Sequence, residues 1–197
     1  MGKSKAKEMN IWTREEYELF SSVIDKSAMK LAFDILFWTG IREGELLALT
    51  PADILPNRRI NIIKNYAKVE CQDLLLEPKT DRSKRCISIP DFLYNDIQNY
   101  ISKLYGIEKD DRIFYFSKSA LDKEIKRYAQ KAGLKPIRVH DLRHSHASML
   151  IDMEVNIKEI SNRLGHESIK TTLDIYAHLY PDKDTELAEN LNNLRKE

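Results

Sequence analysis

The run from Ala28 to Thr39 constrains the fold most. It is apolar nearly all round, so it reads as a helix with no face to offer water. Such a helix has to be enclosed, and the rest of the chain has to supply the enclosure. Gly40 follows in the position where a glycine commonly ends a helix. A short helix is expected next, from about Glu43 to Leu49, stopped near Pro51. Ahead of the buried helix, Thr13 and Glu16 form a capping-box pattern, and Trp12 is placed to pack on Tyr17 as a hydrophobic staple. Residues 1–10 are polar and lysine-rich without an apolar period, and read as a linker or vector-derived segment.

The chain has 197 residues, of which 42% are hydrophobic, enough for the core of one domain or a small pair. The longest strongly apolar stretch, Leu31 to Trp38, carries Asp34 and is too short to span a bilayer. Nothing resembles a signal peptide. Cys71 and Cys86 have no metal-type spacing and fit a reduced, cytoplasmic protein.

The middle of the chain changes character. Arg59–Ile63, Ala67–Val69, Leu74–Leu76 and Arg85–Ile89 are short and rich in branched residues. Pro56-Asn57 and the segment Pro78 to Lys84 supply the turns. A small antiparallel sheet with Lys79 at its tip is expected. Lys79, Arg82, Lys84 and Arg85 cluster there, opposed only by Asp81. The net charge of +1 argues weakly against nucleic-acid binding, but a local basic site on a neutral body can still hold a phosphate backbone. A solvated charged turn is the other reading of this cluster.

Helices resume after Pro90, with a stripe at Ile97, Tyr100, Ile101 and Leu104. Ser119 is expected to cap a helix over Leu121–Ala132, closed by Gly133. One further helix runs from Asp141 to about Asp152. A second is capped by Asn156, with Glu159 in the capping-box position, and ends at Gly165. A third is capped by Ser168, carries Tyr176 and stops before Pro181.

These last helices hold the chemistry-bearing residues. His140-Asp141-Leu142-Arg143-His144, Leu164-Gly165-His166 and Tyr176 follow one another, and Arg42 stands upstream with Glu45 three residues on. Arginine offers a planar, always-charged fork matched to phosphate oxygens. Histidine moves protons near neutral pH, and a deprotonated tyrosine is a covalent nucleophile. The set suffices to attack a phosphodiester without a metal.

Each piece has a plainer reading. Tyr176 lies on a stripe with Ile169, Thr172, Leu173 and Tyr180, so it could be core. His166 follows a helix-ending glycine and could simply be exposed. Arg42 and Glu45 could be a local ion pair. His140, His144 and His146 raise a metal alternative: His140 and His144 have the spacing of a zinc helix, but Asp141 follows His140 and no third ligand stands at typical spacing. Asn156 to Tyr176 could be a helix-turn-helix with Lys170, Thr171 and Asp174 facing a groove, which leaves Arg42, Lys79 and the His140–Arg143 pair unexplained.

Together these residues resemble the catalytic domain of tyrosine recombinases, the phage-integrase family, in order from Trp12 to about Tyr180. Thr39–Leu49 is similar to the family's first-arginine box, with Glu45 as its acidic partner. Pro78-Lys79-Thr80 resembles the β-hairpin lysine. His140–His144 and Leu164–His166 resemble the second and third boxes, and Tyr176 falls where the family places its nucleophile.

The resemblance implies a mainly helical domain with a small antiparallel sheet over 11–180, and a tail over 181–197 whose Leu187, Leu191 and Leu194 could join protomers or dock on the same chain. It implies site-specific strand exchange on double-stranded DNA with no metal, ATP or other cofactor. Tyr176 would form a 3′-phosphotyrosyl bond, His140 would take its proton, Arg42 and Arg143 would hold the non-bridging oxygens, His166 would add a hydrogen bond, and Lys79 would protonate the leaving oxygen. A type IB topoisomerase uses a similar set. Family members usually carry a separate N-terminal DNA-binding domain, for which there is no room before Trp12, so an isolated catalytic domain or a fragment is expected, tetrameric on DNA in the full-length bacterial protein. The many Lys, Ile and Asn residues suggest an element of low-GC bacteria.

Overall fold

A computed structural model describes residues 10–70, 72–77, 83–179 and 184–194. The apolar segment forms α2 (Ser27–Thr39), and nine of its residues are buried. The other elements close round it. Before it runs α1 (Arg14–Ser22), and after it comes the single-turn α3 (Glu43–Leu46). Five short strands follow: β1 (Ile54–Leu55), β2 (Arg59–Ile62), β3 (Asn65–Val69), β4 (Gln72–Leu76) and β5 (Arg85–Ser88). The remaining helices are α4 (Asp91–Ile101), α5 (Lys118–Lys131), α6 (Asp141–Asp152), α7 (Ile157–Leu164), α8 (Ile169–Tyr176) and α9 (Asp184–Leu194).

The start of the fold is set as the residues require. Thr13 and Glu16 make the reciprocal capping box at the head of α1. The staple differs from expectation. The Trp12 ring meets Phe20, centroids 4.7 Å apart, while Tyr17 stacks on Phe37 at 3.8 Å. Tyr17 turns away because its hydroxyl donates to Asp34 at 2.6 Å. Ser21 and Lys30 also donate to that carboxylate, which is how an acid sits inside an apolar helix. The Trp12 amide donates to Ser145 Oγ at 2.9 Å and ties α1 to α6.

Two further boundaries move. α3 stops at Leu46, short of Leu49, because Thr50 and Asp53 cap a separate turn that opens with Pro51. Ser117, not Ser119, caps α5, its Oγ accepting from the Ala120 amide at 3.1 Å.

The strands form two sheets rather than one. β1, β2 and β5 pair antiparallel in the order β1-β2-β5, with Ile60 opposite both Ile54 and Ile87. β3 and β4 pair only with each other, Ala67 opposite Leu74. The parting lies at Lys64, whose ammonium is bound to Asp53 at 2.8 Å and to Thr50 at 3.0 Å. That anchor diverts β3 from β2 and lays it against α3, where Gly44 has no room for a Cβ beside Asn65 and Tyr66. Lys79, expected at the tip of the sheet, lies outside the described residues, as do Arg82 and Cys71.

The apolar interior has two parts. The larger gathers α1, α2, the three-stranded sheet, α4, α5 and the head of α6. The smaller holds Ala147, Ile151, Ile160, Leu164 and Tyr176 from α6, α7 and α8. Gly40 sits where they meet, at φ +68°. A Cβ there would come within 2.6 Å of His146 and 2.8 Å of Leu164. Gly40→Ala should therefore lose about 1–3 kcal/mol from backbone strain alone, with the clash added, read as a lower midpoint in urea unfolding.

Candidate active site

Two helix ends supply the frame. α2 ends at Gly40 and α7 at Gly165, both left-handed, so each leaves its last carbonyls without partners in the helix. Arg143, one turn into α6, answers both. Its Nη1 donates to the Gly40 carbonyl and its Nη2 to the Leu164 carbonyl, each at 2.7 Å. Cations are favoured at the negative ends of helices, so the placement is electrostatic as well as geometric. Burial, and then the charge of Arg42, pull the Arg143 pKa down to about 9. It still carries its charge at neutral pH.

Arg42 stands above it and is more open to solvent, its side chain 38% exposed. Its Nη2 approaches the Gly165 carbonyl at 3.4 Å, and its Nη1 donates to Glu45 at 2.9 Å. Glu45 holds Arg42 as expected, but it also holds Arg85. The Arg85 guanidinium grips both Glu45 oxygens, at 3.0 and 2.8 Å, and its Nε donates to the Arg163 carbonyl at 2.7 Å. Its side chain is only 7% exposed. The sequence reading put Arg85 on DNA. The structure turns it inward, because a buried carboxylate and an open helix end lie within its reach. Lys84 remains at the surface, paired with the exposed Glu77 at 2.8 Å.

His166 follows Gly165 as expected and faces inward, its Nδ1 2.7 Å from the Thr172 hydroxyl. Burial and the charges of Arg143, Arg42 and Arg85 pull its pKa down to about 3. His140 caps α6 with part of the residue open to solvent. Partial burial of its ring, and then the neighbouring His144, pull its pKa to about 4. Both imidazoles are thus neutral at physiological pH.

Tyr176 combines both readings given to it. Its ring is a member of the smaller core and is 1% exposed. Its hydroxyl, buried with the ring, shares a hydrogen bond of 2.7 Å with His144 Nδ1. Burial raises the phenol to about 12, against the opposing pull of Arg143. His144 stands edge-on to the His140 ring, centroids 4.9 Å apart. Sequence reading passed over His144 except as half of a zinc site, and no local pattern links it to a tyrosine 32 residues away. Arg163 enters no sequence reading, and His146 enters only the metal one. Arg163 Nε donates to His146 Nε2 at 3.0 Å, and its Nη atoms reach the Ser88 and Trp38 carbonyls, fastening α7 to α6, β5 and α2.

Among the described residues, no three His, Cys, Asp or Glu side chains are placed to hold a metal. The turn between α7 and α8 also departs from a free helix-turn-helix. Lys170, Thr171 and Asp174 are exposed, but the turn's carbonyls are bound by Arg143 and Arg42. Among the described residues, no helix is long and apolar enough to cross a membrane.

Proteins of known structure share this fold. A Tn1549 transposon integrase, solved in complex with a circular intermediate DNA, superposes with a TM-score of 0.81 at 22% identity, over 96% of this chain and 67% of that one. The catalytic domain of bacteriophage HP1 integrase superposes with a TM-score of 0.64 at 21% identity, over 95% of this chain and 98% of that one. The fold is therefore that of a tyrosine recombinase catalytic domain. In sequence, the ICEBs1 integrase of Bacillus subtilis (strain 168) is 36% identical over 204 residues, covering 95% of this chain and 55% of that protein. Residues 11–183 match the phage integrase family, and the chain belongs to it. It spans about half the length of the curated relatives it matches.

The buried carboxylate at the centre has a measurable signature. Burial pushes the Glu45 carboxyl up, but hydrogen bonds and charge from Arg85 and Arg42 outweigh it and hold the pKa below the ordinary 4.5. A depressed carboxyl contributes stability that is complete above the unfolded value and lost as pH falls through the folded one. Glu45→Gln should flatten the part of the acid-unfolding curve that lies below pH 4.5. Glu45→Ala should cost ~3–5 kcal/mol at neutral pH, since it strands two arginines. Denaturant titrations across pH check both.

Proposed function

We propose that this chain is the catalytic part of a site-specific DNA recombinase, which breaks and rejoins strands of double-stranded DNA through a 3′-phosphotyrosyl intermediate. One observation carries the reading: Arg42 and Arg143 converge on the end of α7 beside His166, and the Tyr176 hydroxyl is hydrogen-bonded one helix away. Three arginines share one carboxylate and a set of carbonyls, and burial pulls the His166 and His140 imidazoles to their neutral forms. A phosphate would meet the more open Arg42 first, and Arg143 and Tyr176, both buried, would have to be uncovered for it to reach them.

The chemistry balances without a nucleotide. The Tyr176 oxygen bonds to phosphorus and gives up its proton to the histidine pair at the head of α6. The P–O5′ bond breaks, and its electron pair goes to the 5′ oxygen, which takes a proton from Lys79. Arg42 and Arg143 offset the charge that grows on the non-bridging oxygens, and His166 donates to one of them. The phosphotyrosyl bond keeps the energy of the phosphodiester, so a 5′-hydroxyl from a second duplex can reverse the step. Arg82 and Lys84 extend the basic contact along the backbone.

Residues 11–180 form the catalytic unit in this proposal, and 181–197 the tail. The full-length protein acts as a tetramer on DNA in the bacterial cytoplasm. Support for contacts between protomers comes from α9, where Leu191 and Leu194 are exposed.

A nicked duplex that traps the covalent intermediate tests the reading. Wild type should yield a DNA–peptide adduct that maps to Tyr176. Tyr176→Phe should yield none while still binding the duplex, at a stability cost of about 1 kcal/mol for the lost hydrogen bond. Adduct formation by the Phe variant would refute the nucleophile. Relaxed circles without recombinants would indicate topoisomerase chemistry instead.

The arginines here do the work of a metal clamp. Cleavage should accordingly persist in excess EDTA, whereas loss on chelation with recovery on adding zinc or magnesium would restore the His140–His144 metal reading.

A further inference from the structure

Sequence resemblance assigns the proton of Tyr176 to His140, yet the geometry places another ring on that oxygen. We propose that His144 is a catalytic residue, the direct acceptor of the Tyr176 proton through its Nδ1. The proposal rests on the recombinase reading above.

The contact is specific. Tyr176 Oη and His144 Nδ1 lie 2.7 Å apart, a distance suited to in-place proton transfer. The contact with the phenol is made by His144, and the His140 ring packs on His144, centroids 4.9 Å apart and nearly perpendicular. Both partners are fixed by their elements. His144 follows Arg143 on α6, which is bolted to two helix ends, and Tyr176 closes α8 with its ring in the smaller core. A side chain chosen only to fill that space would not need a nitrogen aimed at the phenol.

The protonation states agree. Burial pulls the His144 pKa below its ordinary 6.5; Asp141 opposes, while Arg143 and Arg138 add to the fall. The charged and titratable groups around it are Asp141, His140, Arg143 and Arg138 from α6 and its lead-in, His166 from the α7–α8 turn, and Tyr176 from α8. With the phenol held protonated, neutral His144 takes its hydrogen bond at Nδ1 and carries its own proton on Nε2. In the cleavage step the Oη–H bond breaks, its proton moves to Nδ1, and the Oη–P bond forms as P–O5′ breaks. The imidazolium produced is next to Asp141, which favours it.

The decisive variant is His144→Asn. The asparagine amide oxygen falls near the place of Nδ1 and accepts the same hydrogen bond, but it cannot take the proton. Single-turnover adduct formation on a nicked duplex should be flat for wild type from pH 7 to 9. The Asn variant should be about 10²-fold slower at pH 7 and rise roughly tenfold per pH unit, because hydroxide has to do the work. A fluorinated tyrosine at position 176, with its lower pKa, should recover much of the variant's rate and change wild type little. Imidazole nitrogen shifts of DNA-free wild type should show His144 protonated on Nε2 alone above pH 7.

An Asn variant with the wild-type pH profile, at any absolute rate, would make His144 a fastening for Tyr176 and overturn the proposal. A proton found on Nδ1 in the DNA-free protein would do the same. Absence of a Tyr176 adduct in wild type would instead remove the recombinase reading, which the adduct map shows separately from any comparison of variants.

Discussion

Arg143 binds the ends of two helices through a single side chain, and Arg163 adds a second tie between the same helices. The carbonyls of Gly40 and Leu164 belong to α2 and α7, which are far apart in sequence and lie in different apolar clusters. One guanidinium closes the gap because its nitrogens diverge in a plane and each can take a separate acceptor. Everything else in the site is referred to that bracket. Arg42 stands over the same turn, His166 follows it in the chain, and His144 is the next residue on α6. A lysine could reach one carbonyl but not hold both in register.

The same bracket explains how a chain of nearly zero net charge holds such a concentration of cations. The arginines are balanced locally, by one carboxylate at Glu45 and by backbone oxygens at helix ends. Neither source appears in a count of charged residues. Peptide dipoles add no formal charge, yet they lower the energy of cations within a turn of the helix end. Composition therefore understates how electropositive such a cleft can be.

Legibility followed the range of the interaction. The capping box at Thr13, the helix stops at Gly40 and Gly165, the Asn156 and Ser168 caps and the span of α6 are set by neighbours within four residues, and a linear reading finds them. The separation of two sheets depends on Lys64 meeting Asp53 and Thr50, a contact that no strand pattern contains. Arg85 shows the limit most clearly. Beside Lys84 it reads as part of a basic surface, and only the position of Glu45, 40 residues away, turns it inward. His144 is comparable, since its partner stands on another helix. Resemblance to a family carries over the residues that families mark, and the ring hydrogen-bonded to the phenol is not among those given a role that way.

The two apolar clusters give the cleft a seam. Arg42 issues from the larger body and Tyr176 from the smaller, in which, among the described residues, five buried side chains are flanked by four partly buried ones. A cluster of that size opens at lower free energy than the body it leans on. The reacting groups are thus mounted on parts of unequal rigidity. Denaturant or heat should separate them while α2 and its surroundings are still intact, so the molecule is built to lose its register before it loses its shape.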